Sequence, residues 1–203
     1  MDLARAPHPM VASEAMPVVM IVSMPFHAVP ASTTALLFAA LLPQAGLAEE
    51  TLGRIRGFLD GTEVIWHTIV MDQGGKDVAT AGFQQTPHYA DLYLQGHLEP
   101  RFVSKGMLSV EVRYSGQFTP EAKPTSIEII YMPNGLGGQF FTTRGVTPGP
   151  SFQILDFTVW GTSGTIDAAF SGKLCAAWMN RPRDPTDCKT LEGQVTSRVM
   201  IGR

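Results

Sequence analysis

Hydrophobic and polar residues alternate through most of the chain after residue 48. Over residues 107–114, apolar side chains take every second position, and Ser109, Glu111 and Arg113 lie between them. A period of two is typical of a β-strand with one buried face and one solvated face. Similar short stretches recur every 8–12 residues or so, separated by Gly, Pro and Asp-Gly turn signals.

This pattern predicts an all-β fold, namely an antiparallel β-sandwich, with a small β-barrel as the alternative. Residues 151–160 (SFQILDFTVW) form the most apolar stretch after residue 48. Such a run predicts a central strand that is covered on both faces. Residues 49–57 are the one ambiguous segment, which fits either a strand or a short helix.

The two cysteines of the chain, Cys175 and Cys188, lie between two alternating segments, 164–171 and 191–201. We predict that they form a disulfide, which would stabilise the fold by about 3 kcal/mol on the chain-entropy account. Free thiols or half of a metal site are the alternatives. The spacing is not that of a zinc pair, and no histidine lies nearby in the sequence.

A disulfide between directly opposed cysteines fixes the register of an antiparallel hairpin. Polar residues then face polar residues, and apolar residues face apolar or small ones, as cross-strand packing prefers. The bulky ring of Phe170 falls beside Gly193. The remaining pairs are Ala168 with Val195, Ile166 with Ser197, Ser171 with Glu192, Ala169 with Gln194, Asp167 with Thr196, and Thr165 with Arg198.

The first 48 residues differ from the rest and predict a cleavable signal peptide. An apolar run at residues 35–42 is followed by Pro43 and by small residues before Glu49. This order is typical of a secretory signal with cleavage after Ala48, although positive charge is sparse upstream and a later start codon would give an ordinary length. A buried helix of the mature protein is the alternative.

The chain therefore divides into two parts: a signal peptide or disordered N-terminal extension at 1–48, and a single β domain with one disulfide at 49–203. The apolar run is too short to span a bilayer, so we expect no transmembrane segment. Export and a disulfide both predict an extracytoplasmic location, periplasmic or secreted.

Charge argues against two classes of partner. The formal net charge is -3, and charged residues make up 16% of the chain. Such a balance gives no field that would attract nucleic acid or an anionic membrane surface. Few charges together with 20 Gly and 15 Pro also favour a turn-rich β protein.

Within the segment between the cysteines, residues 177–187 form the candidate binding loop. The disulfide would fix its base, and Arg and Trp side chains are favoured at the centres of protein contacts. The alternative is a solvated loop whose charges neutralise one another. The candidate residues are Trp178, Arg181, Arg183, Asp184 and Asp187.

A second, weaker candidate is a polar site made by His67, His97 and Asp156. Asp156 interrupts an apolar strand, so its carboxylate must face solvent or find a buried donor. The histidines lack the spacing of a metal site, so we expect no metal and no cofactor. Ser163 lies in a Gly-Thr-Ser-Gly turn without the strand-turn-helix context of a nucleophile elbow.

These patterns favour a non-enzymatic binding or interaction module. Its partner would be an unknown protein, an envelope component or a small ligand. A small secreted hydrolase with an acid or base near Asp156 is one alternative, and a structural subunit of an envelope assembly is the other.

Overall fold

The computed structural model describes residues 49–179 and 181–202. The predicted signal segment and its cleavage point lie outside the described residues. The described part is all-β, as predicted, and contains no helix. Its strands are β1 (Glu50–Leu59), β2 (Thr62–Asp72), β3 (Asp77–Ala79), β4 (Ala81–Gln85), β5 (Tyr89–Gly96), β6 (Met107–Ser115), β7 (Ser126–Met132), β8 (Phe140–Thr142), β9 (Ser151–Trp160), β10 (Ser163–Trp178) and β11 (Arg181–Gly202).

The strands form one mixed sheet. Their order is β3-β2-β1-β11-β4-β5-β6-β7-β8-β10-β9, and β11 also pairs with β10. The predicted antiparallel arrangement holds except between β11 and β4, where residues 200–202 run parallel to 82–84. The edge of β11 that pairs with β4 also pairs with β1, over residues 191–197 of β11. Because β11 has 22 residues, its C-terminal end extends past β1. This short end pairs with β4, which runs parallel to it.

The β10–β11 hairpin has the predicted register. Cys175 lies opposite Cys188 and joins it in a disulfide, and all seven predicted cross-strand pairs are present. Phe170 covers Gly193 so closely that a Cβ atom there would lie 2.5 Å from the Cζ atom of the ring. Any larger residue at position 193 would therefore force the Phe170 ring to move.

One hydrophobic core takes buried side chains from both ends of the described chain. Trp66 on β2 is the largest of the fully buried side chains. Its indole N–H donates to the carbonyl oxygen of Gly106 at 2.8 Å, and its ring meets the edge of Tyr131. Trp66 thus ties β2 to the start of β6 by packing and by a satisfied hydrogen bond.

Residues 49–57, ambiguous in the sequence, belong to strand β1. Leu52 and Ile55 are both buried although they lie three residues apart, a spacing that resembles a helix. A bulge explains it, because Thr51 pairs with Ile69 and Gly53 with Thr68, which leaves Leu52 as an extra residue.

The prediction that residues 151–160 form a central strand is wrong. Strand β9 lies at the end of the strand order and pairs with β10 alone. Phe152 is buried and Phe157 packs against the rings of Phe83 and Phe118, whereas Trp160 is half exposed. Apolar residues on both faces of a strand indicate burial only when neighbours cover both faces, and here one face and one edge are open.

The β1–β2 turn is anchored to β11 through Asp60. This residue adopts a positive φ of 50°. Its carboxylate accepts hydrogen bonds from the Lys189 Nζ at 2.9 Å and from the Thr190 backbone N–H at 2.8 Å. Burial of the carboxylate would raise the pKa of Asp60, but the bonds from Lys189 and Thr190 outweigh it and lower the pKa.

We expect the Asp60 contact to lose its stabilising effect in acid. A lowered folded-state pKa stabilises the protein above the unfolded-state pKa, and this stabilisation is lost as the pH falls through the folded value. Asp60→Asn, which tolerates the positive φ, should cost up to about 1 kcal/mol at pH 7, since the pair is solvent-screened. Urea unfolding of both proteins at about pH 7 and about pH 2.5 measures the difference, which should be smaller at the lower pH. A difference that is unchanged in acid would contradict the assignment.

Candidate functional site

The tip of the β10–β11 hairpin is the main candidate site. The sequence predicts a loop over residues 177–187, but the structure continues the strands further, and Trp178 pairs with Arg181. Cys175 pairs with Cys188, and the next residue, Ala176, pairs with Asp184. Residues 185–187 of β11 are therefore extra and form a bulge. The tip is therefore a narrow, hydrogen-bonded extension beyond the disulfide, with bulges where a loop is predicted.

A depression of about 300 Å³ lies between this tip and the glycine-rich turn that precedes β8. Trp178, Met179 and Arg181 line one side of it, and Gly137 and Gly138 line the other. Met179 is 81% exposed, the highest value among the large hydrophobic residues that the structure describes. The half-buried Trp178 packs against the core, so the depression combines a fixed aromatic ring, a flexible thioether and an exposed guanidinium.

The other predicted loop residues hold the tip in place. The Arg183 Nη1 donates to the carbonyl oxygen of Arg144 at 2.6 Å, and the Asp187 carboxylate accepts from the Gln139 side-chain amide at 3.0 Å. Asp184 accepts from both the hydroxyl and the backbone N–H of Thr186, and these bonds lower the pKa of its carboxyl. These three side chains thus anchor the bulge to its neighbours and to itself.

Only Trp178 and Arg181 of the five predicted residues line the depression. Met179 joins them there, although the sequence analysis does not single it out. A methionine beside a tryptophan is an ordinary core pattern in a sequence. Met179 is exposed because the turn comes directly after Trp178, which pairs with Arg181. The predicted loop, at 177–187, is longer and does not locate this turn.

A second concave surface lies on the outer face of β4, β5, β6 and β7, and the sequence analysis does not predict it. Arg113 forms a two-pronged pair with Asp91, and Arg144 pairs with Glu128. Glu111 lies across from Tyr93 on one side and from Glu128 on the other. Most of these charges are already paired within the sheet. The surface therefore offers little free charge for the recognition of a ligand.

Of the weaker candidate's residues, His67 and His97 are backbone neighbours, whereas Asp156 lies on strand β9. His67 and His97 form an isolated backbone bridge, with N···O distances of 2.7 and 2.9 Å. The buried His97 ring contacts the Val103 carbonyl oxygen through its Nδ1 at 2.9 Å, and its Nε2 has no hydrogen-bond partner among the described residues. The exposed Asp156 lies on β9, across from Asp167, and makes no hydrogen bond to either histidine.

No group of three or more metal-binding side chains occurs within the described residues. The same residues include no helix long and apolar enough to cross a membrane. Comparisons with models of protein families, with curated proteins and with solved structures gave no match. The function is therefore argued from the geometry of the hairpin tip.

Proposed function

We propose that the protein is an exported binding module that contacts a partner protein through the tip of the β10–β11 hairpin. One observation carries the proposal: Met179, Trp178 and Arg181 line a depression at the end of a hairpin fixed by a disulfide. An exposed thioether beside an aromatic ring and a cation is typical of the centre of a protein contact.

The tip is well suited to binding because little of it has to be ordered when a partner arrives. The disulfide holds its base, and Arg183 and Asp187 tie it to neighbouring segments. A preorganised surface loses less conformational entropy on association than a mobile loop does. Arg181 makes no ion pair with the described residues, so a partner that offers a carboxylate beside an apolar side chain would fit both groups.

Two features support an extracytoplasmic location. Disulfides persist mainly in oxidising compartments, and the chain holds one between Cys175 and Cys188. The segment before residue 49 has the composition of a signal peptide, and strand β1 begins at Glu50, immediately after the predicted mature start. We therefore place the mature domain in the periplasm or outside the cell.

We also infer that the strands form two facing layers of a sandwich. Strand β10 pairs with β9 over residues 163–171 and with β8 over 175–177, while β11 passes from β1 to β4. In packed sheets, the corners are made by strands that switch from one sheet to the other, and the β10–β11 pairing joins the two ends of the order from β11 through β4 to β10. The hairpin tip would then lie with the β7–β8 turn at one end of the sandwich, where connecting loops commonly bind partners.

The proposal predicts site-specific crosslinking at the tip. A photoreactive amino acid replaces Met179 in the protein expressed in its native host, and a second variant carries it at Met200. Met200 is the matched control because it is an exposed methionine on the same hairpin, far from the tip. We expect a discrete crosslinked product from position 179 and none from position 200, as judged by mass shift on a denaturing gel.

Competition separates a specific contact from a reactive surface. Added wild-type protein should abolish the product at position 179. A competitor with Met179→Ser and Arg181→Ser should need about tenfold or more higher concentration, because truncation of central contact residues commonly costs at least 1 kcal/mol each. Equal competition by the two proteins, or equal products at the two positions, would contradict the proposal.

A further inference from the structure

Strand β9 presents an open edge. It hydrogen-bonds to β10 on one side, and no backbone hydrogen bond within the described residues satisfies its other side. The side chains of Leu155, Val159 and Trp160 are each about half exposed. An edge of this kind offers a row of unpaired N–H and C=O groups to another strand.

The opposite end of the strand order is protected, and β9 is not. Strand β3 has only three residues, and the exposed charges of Lys76 and Asp77 stand at its start. Short length and charge are ordinary means by which proteins keep sheet edges from pairing. Strand β9 has ten residues, contains no Lys, Arg or Pro, and carries a single charge at Asp156. This contrast leaves the β9 edge, unlike the β3 edge, open to pairing with another strand.

The side-chain pattern of β9 identifies the strand that covers it. Asp156 pairs with Asp167 and Ile154 with Ala168, so Leu155 is a bulge. Because of the bulge, the residues across from the inner face of β10 are Phe152, Ile154, Phe157 and Val159, and the outer residues are Ser151, Gln153, Asp156, Thr158 and Trp160. Apart from Asp156, which maps onto the bulged Leu155, both sets are symmetric about the point between Leu155 and Asp156.

We propose that the β9 edge pairs antiparallel with the β9 edge of a second copy of this chain, about a two-fold axis between Leu155 and Asp156. All ten residues then have a partner. Inner residues meet inner residues, as Ile154 meets Phe157 of the partner subunit, and Gln153 meets the partner's Thr158 on the outer face.

The faces of the strand favour this register over its neighbours. Shifting the two strands by one residue in either direction sets inner residues opposite outer ones, and one of these two shifts also brings Asp156 directly opposite the partner's Asp156. In the proposed register Asp156 lies opposite the partner's Leu155. The edge is thus complementary to itself in hydrogen bonding and in side-chain face, and the two Asp156 carboxylates are not directly opposed.

A charge-swap experiment tests the pairing. In the proposed register residue 153 lies opposite the partner's residue 158. The double variant Gln153→Lys, Thr158→Lys therefore sets lysine opposite lysine at two places, and Gln153→Glu, Thr158→Glu sets carboxylate opposite carboxylate at the same two places. Both side chains are exposed, so neither change disturbs the core. Thr196→Lys, on an exposed position of the internal strand β11, is the matched control.

Light scattering after size exclusion, from about 10 μM to about 1 mM, gives the mass of each species. We expect a dimer for the wild type and the control, monomers for the two double variants alone, and a heterodimer when these are mixed. A wild type that stays monomeric to about 1 mM would overturn the proposal. A double variant that still dimerises, or a mixture that stays monomeric, would overturn the proposed register.

Discussion

Trp66→Ala should destabilise the domain by about 3–5 kcal/mol, the largest effect that we expect from a single substitution. The side chain is fully buried, so its removal forfeits the burial of a large ring and leaves a cavity. The substitution also removes the indole N–H that donates a hydrogen bond to the Gly106 carbonyl oxygen at 2.8 Å. That oxygen is then left without its partner. Chemical denaturation at pH 7, analysed as a two-state transition, measures the change.

Two further variants separate the contributions at this position. Trp66→Phe keeps an aromatic ring in the core but removes the N–H donor. It should lower the free energy of unfolding by more than about 1 kcal/mol, and by clearly less than Trp66→Ala does. Ile65→Ala, at the neighbouring residue, is the control because Ile65 is nearly half exposed and Trp66 is fully buried. Its cost should stay near 0.5 kcal/mol, as is usual for a surface substitution. Equal losses for the alanine variants at 65 and 66 would contradict the described core.

Removal of the disulfide should cost about 3 kcal/mol. The cysteines are separated by 13 residues in sequence, and the cross-link limits the freedom of that loop in the unfolded chain. Cys175→Ala combined with Cys188→Ala tests this without leaving a free thiol. Thermal unfolding should show a marked drop in Tm for the variant, and added reductant should lower the Tm of the wild type by a similar amount.

The same double variant links stability to the proposed function. Without the cross-link, the tip keeps its bonds through Arg183 and Asp187 but loses the covalent closure at its base. Crosslinking through position 179 should weaken even at temperatures where the variant is fully folded. If the folded variant crosslinks as well as the wild type, the disulfide stabilises the protein and plays no part in presenting the tip.

Two cysteines and two alternating segments were enough to predict the C-terminal hairpin. Once Cys175 is placed opposite Cys188, the period of two assigns every other pair, and the structure matches that assignment. The bulges lie beyond the cysteines, so they leave this register intact. Local alternation and one covalent constraint therefore specify a register where both strands are regular.

Other features depend on non-local neighbours, which alternation does not specify. The apolar run of β9 fits a central strand. The strand lies at the edge because β10 pairs with β9 along part of its length and with β8 along another part, and no described strand pairs with the far side of β9. The parallel contact of β11 with β4 depends likewise on where β1 ends. At the tip, Trp178 and Arg181 were predicted as binding residues, whereas the exposure of Met179 required the position of the turn.

The most direct test of this account is a mass measurement on the protein purified from the extracytoplasmic fraction of its host. Peptide mapping without reduction should find Glu49 as the N-terminal residue and one peptide pair joined through Cys175 and Cys188. The Cys175–Cys188 link in the structure and the signal-like segment before residue 49 together predict this result. Free thiols at both cysteines, or a chain recovered only from the cytoplasm with residues 1–48 attached, would contradict it.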